Sequence, residues 1–228
     1  MTEIAESLRM NKSAVHRHLA TLERKRFVQR DPATGVYQLG VRLLQMAYLV
    51  LGRSDLRQMA SPFLRDLRDR YRETVNLAVL DGTEMVYLDV VESPQRVKLA
   101  ASVGQRLPAF STASGKAVLA FSPESVVQRT LEAGIPISTE YTLRTPEAFV
   151  SDIQQTRERG FAVAVQEFEE GINAVAAPIQ GPGDEPLAAV SVAGPSFRLT
   201  RERMNEIGPT LAATGRAIAQ ELVLARSF

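Results

Sequence analysis

At Thr74 the apolar residues of this chain change their spacing, and that change restricts the possible folds more than any other feature. Upstream they recur every three to four residues, as on helices; from Thr74 they come in short runs with the period of strands. "TVNLAVL", the turn Asp81-Gly82 and "MVYLDVV" read as a hairpin, and "VKLAASV" as a further strand. "STASGKAVLAF" and Pro123–Glu132 read as helices, and "TPEAFVSDIQQTRERG" as an amphipathic helix from a Thr145 cap to a Gly160 stop. "FAVAV", "NAVAAPI" and "LAAVSVA" are apolar strands, the last two joined through "QGPGDEP", and a helix from Thr200 to about Leu224 closes the chain. The pattern predicts an α+β domain, an antiparallel sheet flanked by helices. Ser61-Pro62 is read as the start of a helix through Arg72.

Composition excludes several classes. No apolar run approaches the ~18 to 20 residues of a membrane helix, and the longest candidate is Leu43 to Leu51. The start "MTEIAESLRM" lacks the pattern of a secretory signal. Zero cysteines exclude disulfides and thiolate metal sites and make cytoplasmic residence the expectation.

The first forty residues form a distinct head. Thr2 can cap a short helix over Glu3–Leu8, and Asn11 a second from Lys12 to about Arg26. "FVQR", the turn "DPATG" and "VYQLG" follow as a small hairpin. Two helices across a tight turn and then a hairpin make a winged helix-turn-helix. Although the whole chain carries a net charge of only +1, residues 1–40 hold seven basic side chains (Arg9, Lys12, Arg17, Arg24, Lys25, Arg26, Arg30) against four acids (Glu3, Glu6, Glu23, Asp31). That surplus of three suggests a polyanion partner.

Both histidines of the chain lie on the second helix. At about 100° per residue, Val15, Leu19 and Leu22 fall on one stripe, expected to be buried, while Lys12, Ser13, His16, Arg17 and Arg24 occupy the opposite arc. His16 and His18 are about 200° apart on this wheel, so they cannot share a metal, and no third ligand is visible. The polar arc suits the major groove: Lys12 and Arg17 can reach phosphates or guanine edges, and Ser13 and His16 can approach bases. His18 is expected at the edge of the buried stripe. A merely solvated amphipathic helix is the alternative.

"TEIAESLRMNKSAVHRHLATLERKRFVQRDPATGVYQLG" resembles the winged helix-turn-helix of the IclR family of bacterial transcription regulators. Downstream, "NLAVLDGTEMVYLDVVES", "VGQRLPAFSTASGKAVLAF", "RERGFAVAVQEFEEGINAVAAPI" and "AAVSVAGPSFR" resemble that family's effector domain, in order. The resemblance implies a winged helix-turn-helix over 1–40, a linker helix within 41–53 and a GAF-like effector-binding domain over 54–228. It also implies a helix before "TEIA", so that roughly 15 to 30 residues are expected upstream of Met1. Operator DNA, a small organic effector and a second copy of the chain, as homodimer or homotetramer, are the implied partners, with no cofactor.

Carried over from the family, the effector pocket is expected at Leu99, Leu107, Ala113, Ser114, Ala164, Ile172, Ala174, Ser191 and Ala193. Independently, Ser111 to Gly115 opening a helix offers free N–H groups to a carboxylate, or else Ser111 or Thr112 merely caps it. Where relatives often place an acid, a Cys and a second Ser, this chain has Ala164, Ala174 and Ala193, which points to an aromatic or otherwise hydrophobic carboxylate. A ligand-binding or dimerisation module whose shortened head does not bind DNA is the second reading.

Enzyme readings fail on detail. "FSTASGKA" has Phe110 and Ala117 where a phosphate loop needs Gly and Ser/Thr, and "AVSVA" has Ala189 and Ala193 where a nucleophile elbow needs glycines. The large domain has no histidine, and Glu167, Glu169 and Glu170 read as an exposed polar loop rather than acid/base residues.

Overall fold

The computed structural model describes residues 2–43, 46, 55–181, 183 and 185–225. It divides the chain into two compact units, residues 1–54 and 55–228.

In the first unit, α1 (Thr2–Ser7) and α2 (Lys12–Arg24) flank a turn in which Arg9 takes a left-handed φ of 51°. Asn11 caps α2: its Oδ1 accepts from Ala14 N at 2.8 Å, satisfying a donor that the helix start leaves open. The wing is an antiparallel pair, β1 (Val28–Arg30) and β2 (Tyr37–Leu39). At its tip Asp31 Oδ1 accepts from Ala33 N and Thr34 N, and these bonds hold its carboxyl below the ordinary range. Ala5, Val15 and Leu19 form the small core, with Ile4, Met10, Val28 and Tyr37 packed against it.

Two expectations fail here. Leu22 is 40% exposed rather than buried. The six-residue α1 rises only about 9 Å and does not cover a further turn of α2. His18 is exposed as well, not at a core edge. The linker helix expected within 41–53 is seen at Val41–Leu43 and otherwise falls largely outside the described residues.

The second unit is built on a six-stranded antiparallel sheet in the order β5-β4-β3-β8-β7-β6. Its strands are β3 (Thr74–Asp81), β4 (Glu84–Val91), β5 (Arg106–Pro108), β6 (Ala162–Val165), β7 (Ile172–Gln180) and β8 (Pro186–Pro195). Alternation along these strands separates two cores. Val75, Leu77, Val175, Ile179, Val190 and Val192 face α3 (Asp55–Tyr71) and α7 (Arg201–Ala225), which contribute Leu64, Leu67, Met204, Ile207 and Leu211. Ala78, Tyr87, Ala162, Ala164, Ala176 and Ala189 lie on the other face, under α4 (Ala113–Leu119), α5 (Glu124–Glu132) and α6 (Pro146–Arg159). Phe110 before α4 stacks on Phe149 of α6, with centroids 4.3 Å apart.

Pro62 lies inside α3 instead of opening it. Proline removes one ladder donor, yet the helix continues through it because Ala60, Leu64 and Leu67 are buried on one side. "VKLAASV" is not a strand but an irregular loop. Its carbonyls are taken by side chains instead of a ladder: Arg198 Nη2 donates to Val97 O at 2.7 Å, and Thr74 Oγ1 to Leu99 O at 3.3 Å. Arg198 also forks onto the buried Glu73, Nε to Oε1 at 2.7 Å and Nη2 to Oε2 at 2.9 Å.

Helix α7 reaches the sheet so closely that a Cβ on Gly215 would stand 2.3 Å from Pro178 O. Gly215→Ala should therefore destabilise the second unit by about 1–3 kcal/mol, the usual cost of overpacking, despite alanine's better helix propensity. Urea denaturation followed by circular dichroism checks this; an unchanged or raised midpoint would contradict it.

Candidate functional site

On the sheet face opposite α3 and α7 the side chains are small, and their smallness opens a pocket. Ala164 on β6 pairs with Ala174 on β7, which pairs with Ala193 on β8, so a row of alanines crosses three strands. Ser191 lies on the same face of β8. Above this floor is a space of about 590 Å³, a figure that includes its open mouth. The loop after β4 supplies Leu99, Ala100, Ala101 and Gln105; β5 supplies Leu107; the turn into α4 supplies Ser111, Thr112, Ala113 and Ser114. Tyr87, Glu167, Phe168, Glu169 and Ile172 complete the wall. All nine positions named from the sequence thus line this single pocket.

Thr112 is the cap of α4: its Oγ1 accepts from Gly115 N at 3.2 Å and donates to Pro108 O at 3.1 Å. Ser111 Oγ is buried and has no partner among the described residues, a state that costs about 1–3 kcal/mol unless a ligand or water meets it. Burial pushes the Tyr87 phenol up to about 12, so it stays a neutral hydroxyl across the physiological range.

Glu167 departs most from the sequence reading. It is buried, not part of an exposed loop, whereas Glu169 and Glu170 are exposed. Gln166 makes the difference, with a left-handed φ of 55°, a conformation that non-glycine residues hold only when their surroundings impose it. Gln166 N donates to Ile172 O and to Asn173 Oδ1, and Gln166 Oε1 accepts from Gly171 N. Thr142 Oγ1 donates to Glu167 O at 2.6 Å. This turn carries the Glu167 side chain to Lys116, whose Nζ lies fully buried 2.6 Å from Glu167 Oε1 and 2.9 Å from Asp152 Oδ2. Glu167 Oε2 has no partner among the described residues. Burial pushes its carboxyl above the ordinary range, against the pull of Lys116.

Sequence reasoning missed Tyr87, Gln105 and this cluster. Nothing in spacing alone links Lys116 to a carboxylate 51 residues away. The only available signal was a lysine inside an otherwise small and apolar helix, "ASGKAVL".

In the first unit Lys12, Ser13, His16, Arg17 and Arg24 are all exposed on α2. Lys12, Ser13, His16 and Arg17 share its first half, clear of the core made by Val15 and Leu19. In the same unit Arg42 lies over the Phe27 ring at 5.3 Å, and Arg30 over Tyr37 at 5.9 Å. No group of three or more His, Cys, Asp or Glu among the described residues could hold a metal ion. No helix among them is long and apolar enough to cross a membrane.

Known proteins match both units. The family model for the C-terminal part of the bacterial transcriptional regulator IclR matches residues 48–220, and the IclR helix-turn-helix model matches residues 1–32. The HTH-type transcriptional regulator XynR of Escherichia coli is 31% identical over 97% of this chain and 88% of its own length. The crystal structure of the Thermotoga maritima IclR shares 34% identity at a TM-score of 0.77, covering 97% of this chain and 90% of that one. An IclR homologue from Microbacterium hydrocarbonoxydans, crystallised with 4-hydroxybenzoate, has 26% identity and a TM-score of 0.82, covering 98% of this chain and 90% of that one. Head and sheet agree with these matches: the chain belongs to the IclR family of bacterial transcriptional regulators.

Proposed function

We propose that this regulator reads operator DNA through α2 and answers to an aromatic or otherwise hydrophobic carboxylate held in the pocket of its second unit. The observation that carries the effector reading is the pocket itself: an alanine floor, with hydroxyls at Ser111, Ser114, Ser191 and Tyr87 among its lining groups. A flat apolar ring suits the floor, because each apolar group it buries gains about 25 cal/mol per Å² and leaves no polar partner stranded. The hydroxyls can donate to a carboxylate. The complex of a family member with 4-hydroxybenzoate supports the same class of ligand.

On this reading residues 1–40 are the DNA-binding domain, 41–53 a linker helix, and 54–228 the effector domain. Lys12 and Arg17 hold phosphates or guanine edges, Ser13 and His16 approach bases, and Arg24 contacts the backbone. One recognition helix buries too little surface for useful specificity, so the working form is a homodimer, or a dimer of dimers, on a pseudopalindromic site. Effector binding acts by favouring one of two arrangements of the heads. Such a protein works in the cytoplasm, without a cofactor and without catalysis.

Isothermal titration should detect benzoate-type acids and give little or no heat with glyoxylate; tight glyoxylate binding with no aromatic acid bound would overturn the effector assignment. Ala174→Leu fills the pocket floor and should weaken benzoate binding at least tenfold. For the head, His16→Ala combined with Arg17→Ala should lower affinity for the DNA flanking its own gene by about ten- to a hundredfold. Non-specific DNA should lose far less in fluorescence anisotropy at matched salt. Equal losses on both would contradict base readout.

A further inference from the structure

We infer that Tyr87 and Gln105 form a neutral clamp for the carboxylate of the effector, and so fix which end of the ligand lies at which end of the pocket. The inference rests on the aromatic-carboxylate reading above and assigns the residues that tell such an acid from its neutral isostere.

A glycine bulge brings the two side chains together. β5 pairs with β4 as far as Val86 and Arg106. One step further, Tyr87 meets two residues instead of one: Gly104 N donates to Tyr87 O at 2.8 Å, and Tyr87 N donates to Gln105 O at 3.0 Å. Gly104 holds a left-handed φ of 84°, the conformation this kind of bulge requires and one that a Cβ disfavours. Gln105 N closes the turn on Ser102 O at 3.0 Å. Tyr87 and Gln105 thus stand next to each other, and both line the pocket.

Each carries a donor that the described residues leave unused. Tyr87 Oη makes no hydrogen bond among them, although the residue is only 6% exposed. Burial pushes this phenol up to about 12, so it keeps its proton. Ser102 N donates to Gln105 Oε1 at 3.1 Å. A backbone N–H needs an oxygen there, so the amide is held in one orientation and Nε2, which can only donate, is left over. Unlike Ser111 Oγ and Glu167 Oε2, neither Tyr87 Oη nor Gln105 Nε2 is sealed away from a ligand.

Charge decides which end of the ligand comes here. The described lining contains no lysine, arginine or histidine, so a carboxylate in this pocket has to be met by neutral donors. Its two acids, Glu167 and Glu169, both stand in the turn from β6 to β7. In the sheet β4 lies four strands from β6, at roughly 4.8 Å per strand. A carboxylate at Tyr87 and Gln105 is therefore at the end of the pocket where like-charge repulsion is weakest. The alanine row across β6, β7 and β8 takes the ring.

The test is calorimetric titration of the full-length protein at pH 7.5 with benzoate and with benzamide, repeated on Tyr87→Phe and Gln105→Glu. Tyr87→Phe removes no bond within the described protein, and Gln105→Glu keeps the acceptor for Ser102 N while replacing the donor with an anionic oxygen. The readout is the affinity ratio of benzoate to benzamide, which a general loosening of the fold does not move. The wild type should prefer benzoate by about tenfold or more, the scale of a hydrogen bond to a charged group. Tyr87→Phe should reduce that ratio to about threefold or less, and Gln105→Glu should reverse it in favour of benzamide. If Gln105→Glu does not fold, Tyr87→Phe decides. A wild type that binds both probes equally, or a ratio unchanged in either folded variant, overturns the clamp and leaves aromatic binding in the pocket standing. A wild type that binds neither probe overturns both.

Discussion

The six-stranded sheet carries its bulk on one face and its smallest side chains on the other, and the rest of the second unit follows from that difference. Valine, leucine and isoleucine on one side build a core with α3 and α7. Alanine and serine on the other leave the sheet unable to fill the space beneath α4 to α6 by itself. Protein interiors pack to near-crystalline density, so open space above the floor persists only where surrounding elements are held apart. Phe110 stacked on Phe149 does part of this, and so does the loop before β5, which Arg198 and Thr74 tie down by its carbonyls. The pocket is the volume that the alanine row does not occupy.

Two ion pairs, one half-buried and one buried, differ in how well their charges are met. Glu73 and Arg198 form a bidentate fork whose guanidinium also takes a loop carbonyl, so its charges are well satisfied. Lys116 sits deeper, with two carboxylates and an oxygen left over. Desolvating such groups costs several kcal/mol per ion, and their attraction repays it only when the remaining valences are met. The first pair is explained by architecture alone. The second leaves Glu167 Oε2 without a partner among the described residues.

Much of this was legible because it depends on short-range physics. The Asn11 and Thr145 caps and the left-handed Gly160 stop sit where donor and acceptor counting puts them. Alternation gave the strands after Thr74, and the dispersed motifs gave the family and the nine pocket positions. Leu22 and His18 were misjudged because a helical wheel reports which side a residue takes, not how far a partner extends over it. "VKLAASV" was misread for a related reason: its alternation is real, but its carbonyls are claimed by side chains distant in sequence.

The amino-acid sequence by itself determined the α+β class, the winged head, the basic face of α2 and the alanines of the pocket floor. Each of these rests on periodicity, capping or residue volume, properties that belong to neighbouring residues. Only the tertiary structure decided that Pro62 stays within its helix, that Ser111 is freed while Thr112 caps, and that Glu167 leaves solvent for Lys116. Those outcomes depend on which distant groups meet in a low-dielectric interior. There a left-handed Gln166 and an ion cluster spanning 51 residues are paid for by bonds that no local pattern announces.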